Sequence, residues 1–401
     1  MLKNITNFAI ASSLVCFCWP QENPVAQENP VAIRGGTIFT GAGDVIEAGT
    51  IVFEHGKIVS LGQDISVPSG TEIINADDLF VTPGYIDSYS HIGLESVPFM
   101  LGNSRASMDM PKELKLWDPE NLMNASRPII PKLDEAHESQ WLRTGVTTTY
   151  VSPGPQNLAG GLGVIMKLTG TVINERAAVS GSFGESALDA FEAPTTRQGM
   201  IAILRQKFIS AQEDTLGGED GRVFAQLLSG SLPFRVLVNT PDDILTALRL
   251  ADEFGLDLVL DSAAGGHVVA EAIANGGVPV VVGPAIVGIG DGGPYEAFAH
   301  TPANAAKLYE AGVRVALSTG DFGTGRSVAM EALVAKAHGL PEMAALMAVT
   351  SEAASILGIA DRTGTLAPGM DADIVIWQGR PISTWAVAKR VIVDGITHFE
   401  R

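Results

Sequence analysis

The sequence predicts an α/β fold in which a (β/α)8 barrel is joined to a small β domain built from both ends of the chain. The middle of the chain alternates apolar, β-branched runs with amphipathic runs, a pattern typical of parallel strands joined by helices. Short β-branched runs separated by glycines occur instead near the two ends. The length of the segment 84–360 also exceeds the roughly 250 residues that such a barrel needs, which leaves room for insertions.

The first 32 residues are predicted to be an export signal followed by a linker. Lys3 precedes a mostly apolar run at 8–19, which has the length of a secretory h-region. The hexapeptide Gln-Glu-Asn-Pro-Val-Ala then occurs twice, at 21–26 and 27–32, and a polar repeat that contains proline is typical of a tether. We therefore expect an exported, periplasmic or extracytoplasmic protein; the sequence defines neither the cleavage site nor a lipid anchor.

Charge and hydrophobicity exclude several classes of partner. The chain has 45 acidic and 26 basic residues, a formal charge of −19, which disfavours binding to nucleic acid. No run of 18 or more uncharged apolar residues is present, so no transmembrane span is predicted. We expect a small-molecule substrate or ligand. The sequence does not determine whether the chain forms a homo-oligomer.

The two ends of the chain are predicted to form one discontinuous β-sandwich domain, with a first part at 33–83 and a second part at 361–401. The dipeptide His55-Gly56 separates two β-branched runs, and Asp394-Gly395 follows another at 391–393. Both dipeptides favour tight hairpin turns. Each end therefore supplies hairpin strands.

Residues 84–360 are predicted to form a TIM-type barrel. A strand at 236–239 precedes a helix that begins near Asp242-Asp243, whose carboxylates suit a helix N-terminus. Further strands are predicted at 256–260, 278–282 and 313–318, with helices at 266–275, 301–311 and 328–337. Strands three and four fall between Gly154 and Gly230, where the pattern does not place them.

The segment 81–91 reads Val-Thr-Pro-Gly-Tyr-Ile-Asp-Ser-Tyr-Ser-His. Side chains two apart on a strand share a face, so Asp87, Tyr89 and His91 are predicted to point together at the mouth of the barrel. Here the sequence resembles the amidohydrolase superfamily, whose first strand usually reads Pro-Gly-x-Ile-Asp-x-His-x-His. The resemblance continues at 144–148, 157–161 and 358–374, covers nearly everything after the linker, and is strongest to exported, imidazolonepropionase-like or dipeptidase-like branches.

The resemblance implies one divalent metal ion, zinc or manganese, held by residues from strands one, five, six and eight. Such an ion lowers the pKa of its bound water and so supplies hydroxide at neutral pH. In this chain Tyr89, Leu237 and Ser262 occupy positions where the family has ligands. His91 and Asp321 remain as metal ligands, and the resemblance makes Asp321 the catalytic proton acceptor as well. Because so few donors remain, a chain that binds no metal is the alternative.

Predictions follow for five more side chains, two of them with an alternative. Asp87 is predicted to be a structural hydrogen-bond acceptor, and Asp261 is predicted to face away from the barrel interior. Lys167 is predicted either to bind the substrate or to be exposed to solvent. His267 is predicted either to contact the substrate or to be a polar residue at the start of a helix. Arg197 is predicted to line the substrate pocket.

Two functions remain open from the sequence. One is hydrolysis of a C–N bond in an amide, peptide or cyclic amide. The other is a catalytically inactive barrel that binds a small ligand or a partner protein. The loss of metal donors at positions 89, 237 and 262 favours the inactive barrel.

Overall fold

The computed structural model describes residues 29–94, 125, 129, 131, 133, 135–154, 157–184, 187, 188, 195–285, 299–320 and 327–401, with residues 135–138 described by backbone alone. The predicted export signal and Asp321 lie outside these ranges. None of the helices within them is long and apolar enough to cross a membrane.

Both ends of the chain meet in one eight-stranded sheet, as predicted. Its strands are β1 (Val31–Phe39), β2 (Val45–Glu54), β3 (Lys57–Gly62), β4 (Glu72–Asn75), β5 (Phe80–Pro83), β14 (Ile374–Gln378), β15 (Val387–Val393) and β16 (Ile396–Glu400). Their order is β16-β15-β14-β5-β1-β2-β3, with β4 also paired to β1. The strands thus form one branched sheet with an apolar core of its own, which includes Ile33, Ile58 and Ile374.

The two predicted hairpin turns of this sheet are confirmed. His55 and Gly56 have φ values of 50° and 76°, and Asp394 and Gly395 have φ values of 51° and 77°. Two consecutive left-handed residues match the right-handed twist of the flanking strands. Tight turns therefore join β2 to β3 and β15 to β16.

The second sheet is also eight-stranded and nearly closed. It contains β6 (Tyr85–Ser90), β7 (Val146–Val151), β8 (Gly161–Lys167), β9 (Val172–Ser182), β10 (Phe234–Val238), β11 (Leu258–Ser262), β12 (Val280–Val282) and β13 (Val315–Leu317). These strands are neighbours in chain order from β6 to β13. Just beyond β13, the Gly320 N–H donates to the Tyr89 carbonyl of β6, with an N···O distance of 3.0 Å. The two edge strands therefore meet, which gives the sheet a barrel-like form.

One strand of this ring runs against the others, so the prediction of eight parallel strands is wrong. β8 is antiparallel to both β7 and β9. Only residues 168–171 connect β8 to β9, and a crossover that keeps two strands parallel needs a dozen residues or more. β8 and β9 lie in the stretch where the sequence did not place strands.

Helices cover the outside of the ring. They are α1 (Glu135–Leu142), α2 (Arg197–Gln212), α3 (Gly218–Leu228), α4 (Pro241–Phe254), α5 (Ala270–Gly276), α6 (Asn304–Glu310), α7 (Val328–Ala337), α8 (Glu342–Met347) and α9 (Ser351–Ile356). The predicted start of α4 is confirmed, since Thr240 caps it by accepting from the Asp243 N–H. On β10, Phe234, Val236 and Val238 belong to the core beneath these helices.

The small sheet joins the ring at the end where the parallel strands begin. Tyr85, the first residue of β6, stacks on Trp377 of β14 with ring centroids 5.1 Å apart. The Trp377 Nε1–H in turn donates to Thr82 Oγ1, 2.9 Å away. The carboxyl ends of the parallel strands, where such barrels carry their sites, therefore face away from the small sheet.

Candidate functional site

His91 lies at the carboxyl end of β6, buried inside the ring. Only 2% of its surface is exposed, and its Nδ1 is 2.9 Å from the Ser152 carbonyl oxygen that follows β7. The imidazole meets the Tyr89 ring edge-on, with centroids 5.0 Å apart. The structure thus brings together two of the three side chains that the strand alternation predicted to converge.

Asp87 serves as the structural acceptor that the sequence predicted. Its carboxylate accepts from the backbone N–H of Thr319 at 3.1 Å and from the Thr319 hydroxyl. It also accepts from the Tyr89 N–H at 3.3 Å. These bonds tie β6 to the segment after β13, so Asp87 helps to close the ring.

Tyr89 fills the interior of the ring. Burial and then the nearby Asp261 carboxylate raise the pKa of Tyr89 far above its usual value, so the phenol stays protonated. A protonated phenol is a poor metal donor. Its ring packs in the interior cluster that also contains Ile86 and Tyr150.

A buried ion pair, Arg235 with Asp261, crosses the interior beside Tyr89. The Arg235 Nε is 3.1 Å from Asp261 Oδ2, and its Nη2 bonds Asp261 Oδ1. The same Nη2 donates to the Ser88 carbonyl oxygen at 2.7 Å. The guanidinium carbon also lies 4.0 Å from the Tyr150 ring centroid, within range of a cation–π contact.

The expected direction of Asp261 was therefore wrong. Leu237 on β10 is level with Asp261 on β11, and both belong to the face that lines the ring. Ser262, the next residue, has a φ of 65°, so the strand turns there and the Ser262 hydroxyl bonds Asn239 Oδ1 at 2.7 Å. The alternation of β11 thus points Asp261, not Ser262, into the barrel.

Arg235 itself was missed by the sequence reasoning. The available signal was a pair of opposite charges inside two successive apolar strand runs, at 234–238 and 258–262. Burial would lower the pKa of Arg235, but Asp261 outweighs it and raises that pKa, so the guanidinium stays charged. Burial raises the pKa of Asp261 above its usual value, while its two bonds to the charged Arg235 act in the opposite direction and favour the carboxylate.

Lys167 is neither exposed nor at the mouth of the ring, so the prediction of an exposed lysine is wrong. It ends the reversed strand β8, at the end that faces the small sheet. Its side chain is 0% exposed and its Nζ is 2.9 Å from Asp371 Oδ2 and 3.1 Å from Asp373 Oδ1. It also bonds Asp394. This position does not support the predicted contact of Lys167 with a substrate at the mouth.

Arg197 and His267 lie near the carboxyl ends of β10 and β11. Arg197 Nε is 3.0 Å from both Asp243 oxygens, which links the starts of α2 and α4. The backbone N–H of His267 donates to Asn304 Oδ1 at 2.9 Å. Burial and, after it, the charge of Lys307 lower the pKa of His267, so its imidazole is neutral at pH 7. Substrate contacts by Arg197 and His267 stay predictions.

A narrow cleft, with room among the described residues for about one water molecule, opens beyond the ends of β11, β12 and β13. Its walls are mostly neutral or apolar, and include Ser262, His300, Thr301, Asn304 and Leu317. A small, largely uncharged ligand suits these walls.

The described donors do not fit a divalent metal ion. Among the residues that the structure describes, no three His, Cys, Asp or Glu side chains are grouped closely enough to hold one. Arg235 holds both Asp261 oxygens, and Leu237 offers only an alkyl group. The proposed ligand Asp321 lies outside the described ranges.

Comparison with known proteins points to the superfamily that the sequence resembles. A model of the amidohydrolase family matches residues 296–397. The solved structure of an amidohydrolase from Thermotoga maritima MSB8 is 28% identical, with a TM-score of 0.78, over 92% of this chain and 100% of that one. An imidazolonepropionase of Mesorhizobium japonicum is 24% identical over 83% of this chain and 87% of its own length. These matches support membership of this chain in the amidohydrolase superfamily.

A third relative is considerably longer than this chain. The amidohydrolase tasK of Hapsidospora irregularis is 25% identical over 92% of this chain, but the match covers only 43% of tasK. This chain therefore spans less than half of that relative.

Proposed function

We propose that this chain is a ligand-binding member of the superfamily that holds a small, uncharged molecule at the carboxyl end of its barrel and does not hydrolyse it by a metal-dependent route. The bidentate pairing of Asp261 with Arg235 carries this proposal. A carboxylate whose two oxygens are both held by one guanidinium is a poor ligand for a second cation. The neutral walls of the cleft near Ser262 and Asn304 support the choice of ligand.

Hydrolysis of a C–N bond, in an amide, peptide or cyclic amide, is the second candidate function. The imidazole of His91 at the carboxyl end of β6 favours hydrolysis, and so does the similarity to proteins named amidohydrolases. It would require Asp321 to act as proton acceptor, together with a zinc or manganese ion. Because the described donors do not fit such an ion, we derive no catalytic step from it.

Metal content separates the two candidates. We expect the purified full chain, offered zinc or manganese, to retain well under one equivalent, because Tyr89 and Leu237 supply no donor in place of the family ligands. Elemental analysis after gel filtration measures this, and His91→Ala is the matched variant. A full equivalent in the unaltered chain that disappears in His91→Ala, with metal-dependent turnover of dipeptides or cyclic amides, would establish the hydrolase instead.

A larger side chain in the cleft tests whether the ligand binds there. A neutral cyclic amide or dipeptide that binds the folded chain should raise the unfolding midpoint as its concentration increases. Ala264→Leu extends a side chain into the cleft and should abolish this rise. Thr246→Ala, on the exposed face of α4, is the matched control and should leave the rise intact. An equal rise in both variants would place the ligand elsewhere.

Export is proposed from the N-terminal pattern alone. The basic Lys3 and the apolar run at 8–19 support it. Expression of the full chain in a bacterial host, followed by fractionation and N-terminal sequencing, should recover an extracytoplasmic form cleaved between about residues 20 and 26. An uncleaved form confined to the cytoplasm would count against export.

A further inference from the structure

The interior of the ring encloses three kinds of partner for one cation. The Asp261 carboxylate comes from β11, and the Ser88 carbonyl oxygen comes from β6. The Tyr150 ring of β7 lies 4.0 Å from the guanidinium carbon of Arg235, and the Tyr89 ring of β6 lies 6.0 Å from it. Anionic, carbonyl and aromatic groups from different strands thus converge on one positive charge.

We propose that the barrel interior is a cation-binding site whose cation is the chain's own Arg235 guanidinium, and that this tethered cation positions the end of β6 that carries Tyr89 and His91. The proposal does not rest on the proposed function, because it concerns the conformation of β6 whether or not a ligand is bound or hydrolysed.

Burial makes these partners important. The side chains of Arg235 and Asp261 are 2% and 1% exposed, so neither charge keeps its hydration. A buried charge is tolerated only when hydrogen bonds and an opposite charge replace that hydration. Here one planar guanidinium satisfies a carboxylate and a carbonyl while its face lies against Tyr150, a combination that the ammonium of lysine does not reproduce.

A chain of contacts connects Arg235 to His91. The guanidinium holds the Ser88 carbonyl, which is immediately before Tyr89 in β6. The Tyr89 ring packs between the guanidinium and the edge of His91. Arg235 therefore acts on His91 through Tyr89 and the β6 backbone, as a positioning residue.

Chemical rescue tests the site directly. Arg235→Ala should lower the unfolding midpoint by roughly 5 °C or more, since it leaves Asp261 buried without its partner. Low millimolar guanidinium should then enter the vacated space and raise the midpoint by roughly 3 °C in a saturable manner, measured against potassium chloride of equal ionic strength. The unaltered chain and Arg235→Ala/Asp261→Ala should show no such rise. A folded Arg235→Ala variant without saturable rescue would overturn the proposal.

A charge-free pair of substitutions tests the positioning role, even if Arg235→Ala does not fold. Arg235→Met/Asp261→Met removes both charges, and such replacements often preserve stability. We expect this variant to fold but to shift the His91 imidazole resonances, because the Ser88 carbonyl has lost its donor. Arg176→Met, at an exposed ion pair with Glu219, is the control and should leave them in place. Unchanged His91 resonances in the folded charge-free variant would mean that the pair only fills space.

Discussion

Replacement of Lys167 by methionine is expected to lower the free energy of unfolding by about 5 kcal/mol, or to prevent folding, because it removes the cation that the two buried carboxylates of Asp371 and Asp373 share. Lys167 bonds Asp371, Asp373 and Asp394, and of these the first two are 2% and 1% exposed. Without the ammonium group these carboxylates would face one another in a poorly hydrated space. Urea denaturation at pH 7 measures the loss.

Lys57 provides the matched control for this prediction. It bonds the same Asp371 from the other side, but 49% of its side chain is exposed. Exposed ion pairs contribute little, so Lys57→Met should cost no more than about 1 kcal/mol. If Lys167→Met were no less stable than Lys57→Met, the buried cluster would not be a main contact between the ring and the small sheet.

The same cluster predicts a loss of stability in alkali. Burial alone would lower the pKa of Lys167, but Asp373 and Asp394 outweigh it and raise that pKa above its ordinary value. The stabilisation from Lys167 is therefore complete below the unfolded-state pKa of about 10.4 and is lost as the pH rises through the higher folded-state pKa. Unfolding midpoints above pH 10 should fall more steeply for the unaltered chain than for any Lys167→Met protein that folds.

Replacement of Gly163 by alanine is expected to cost about 3 kcal/mol and to displace the Tyr150 ring. A Cβ at position 163 would lie 2.1 Å from the Tyr150 hydroxyl oxygen and 2.3 Å from its Cζ. The ring has little freedom to move, since its hydroxyl bonds Ser180 Oγ at 2.7 Å and its face lies against Arg235. Thermal unfolding, with near-ultraviolet circular dichroism for the tyrosine environment, measures both effects.

Gly217→Ala is the control for the substitution at Gly163. Position 217 has a φ of −81°, and an added Cβ there would meet nothing within 4 Å. The change should cost no more than about 1 kcal/mol, since alanine is a poorer helix N-cap than glycine but meets no clash here. Equal stability of the two variants would show that β8 moves to accommodate the methyl group.

Much of the fold was accessible from sequence because its signals are local. The turns at His55-Gly56 and Asp394-Gly395 and the cap of α4 at Thr240 depend on a few adjacent residues. The direction of β8, in contrast, does not depend on a few adjacent residues. All seven residues of β8 are buried, so its sequence has no polar alternation, and its direction follows from the short connection to β9.

The site was less predictable because it depends on register between strands. Alternation along one strand was enough to bring Tyr89 and His91 together. The inward direction of Asp261 required knowing that β11 turns at Ser262, and its pairing with Arg235 required the alignment of β10 with β11. The burial of Lys167 was not predictable from its own strand, because its three partners come from a segment more than 200 residues away.

The reversed direction of β8 also separates two surfaces that a fully parallel ring would combine. The short loop at 168–171 emerges beside the small sheet, far from the mouth of the ring. Gly170 in that loop has open space around it, since an added Cβ would meet nothing within 4 Å. A fluorophore or affinity peptide inserted at Gly170 would therefore immobilise or report on the protein while leaving the opposite opening clear for whatever molecule enters it.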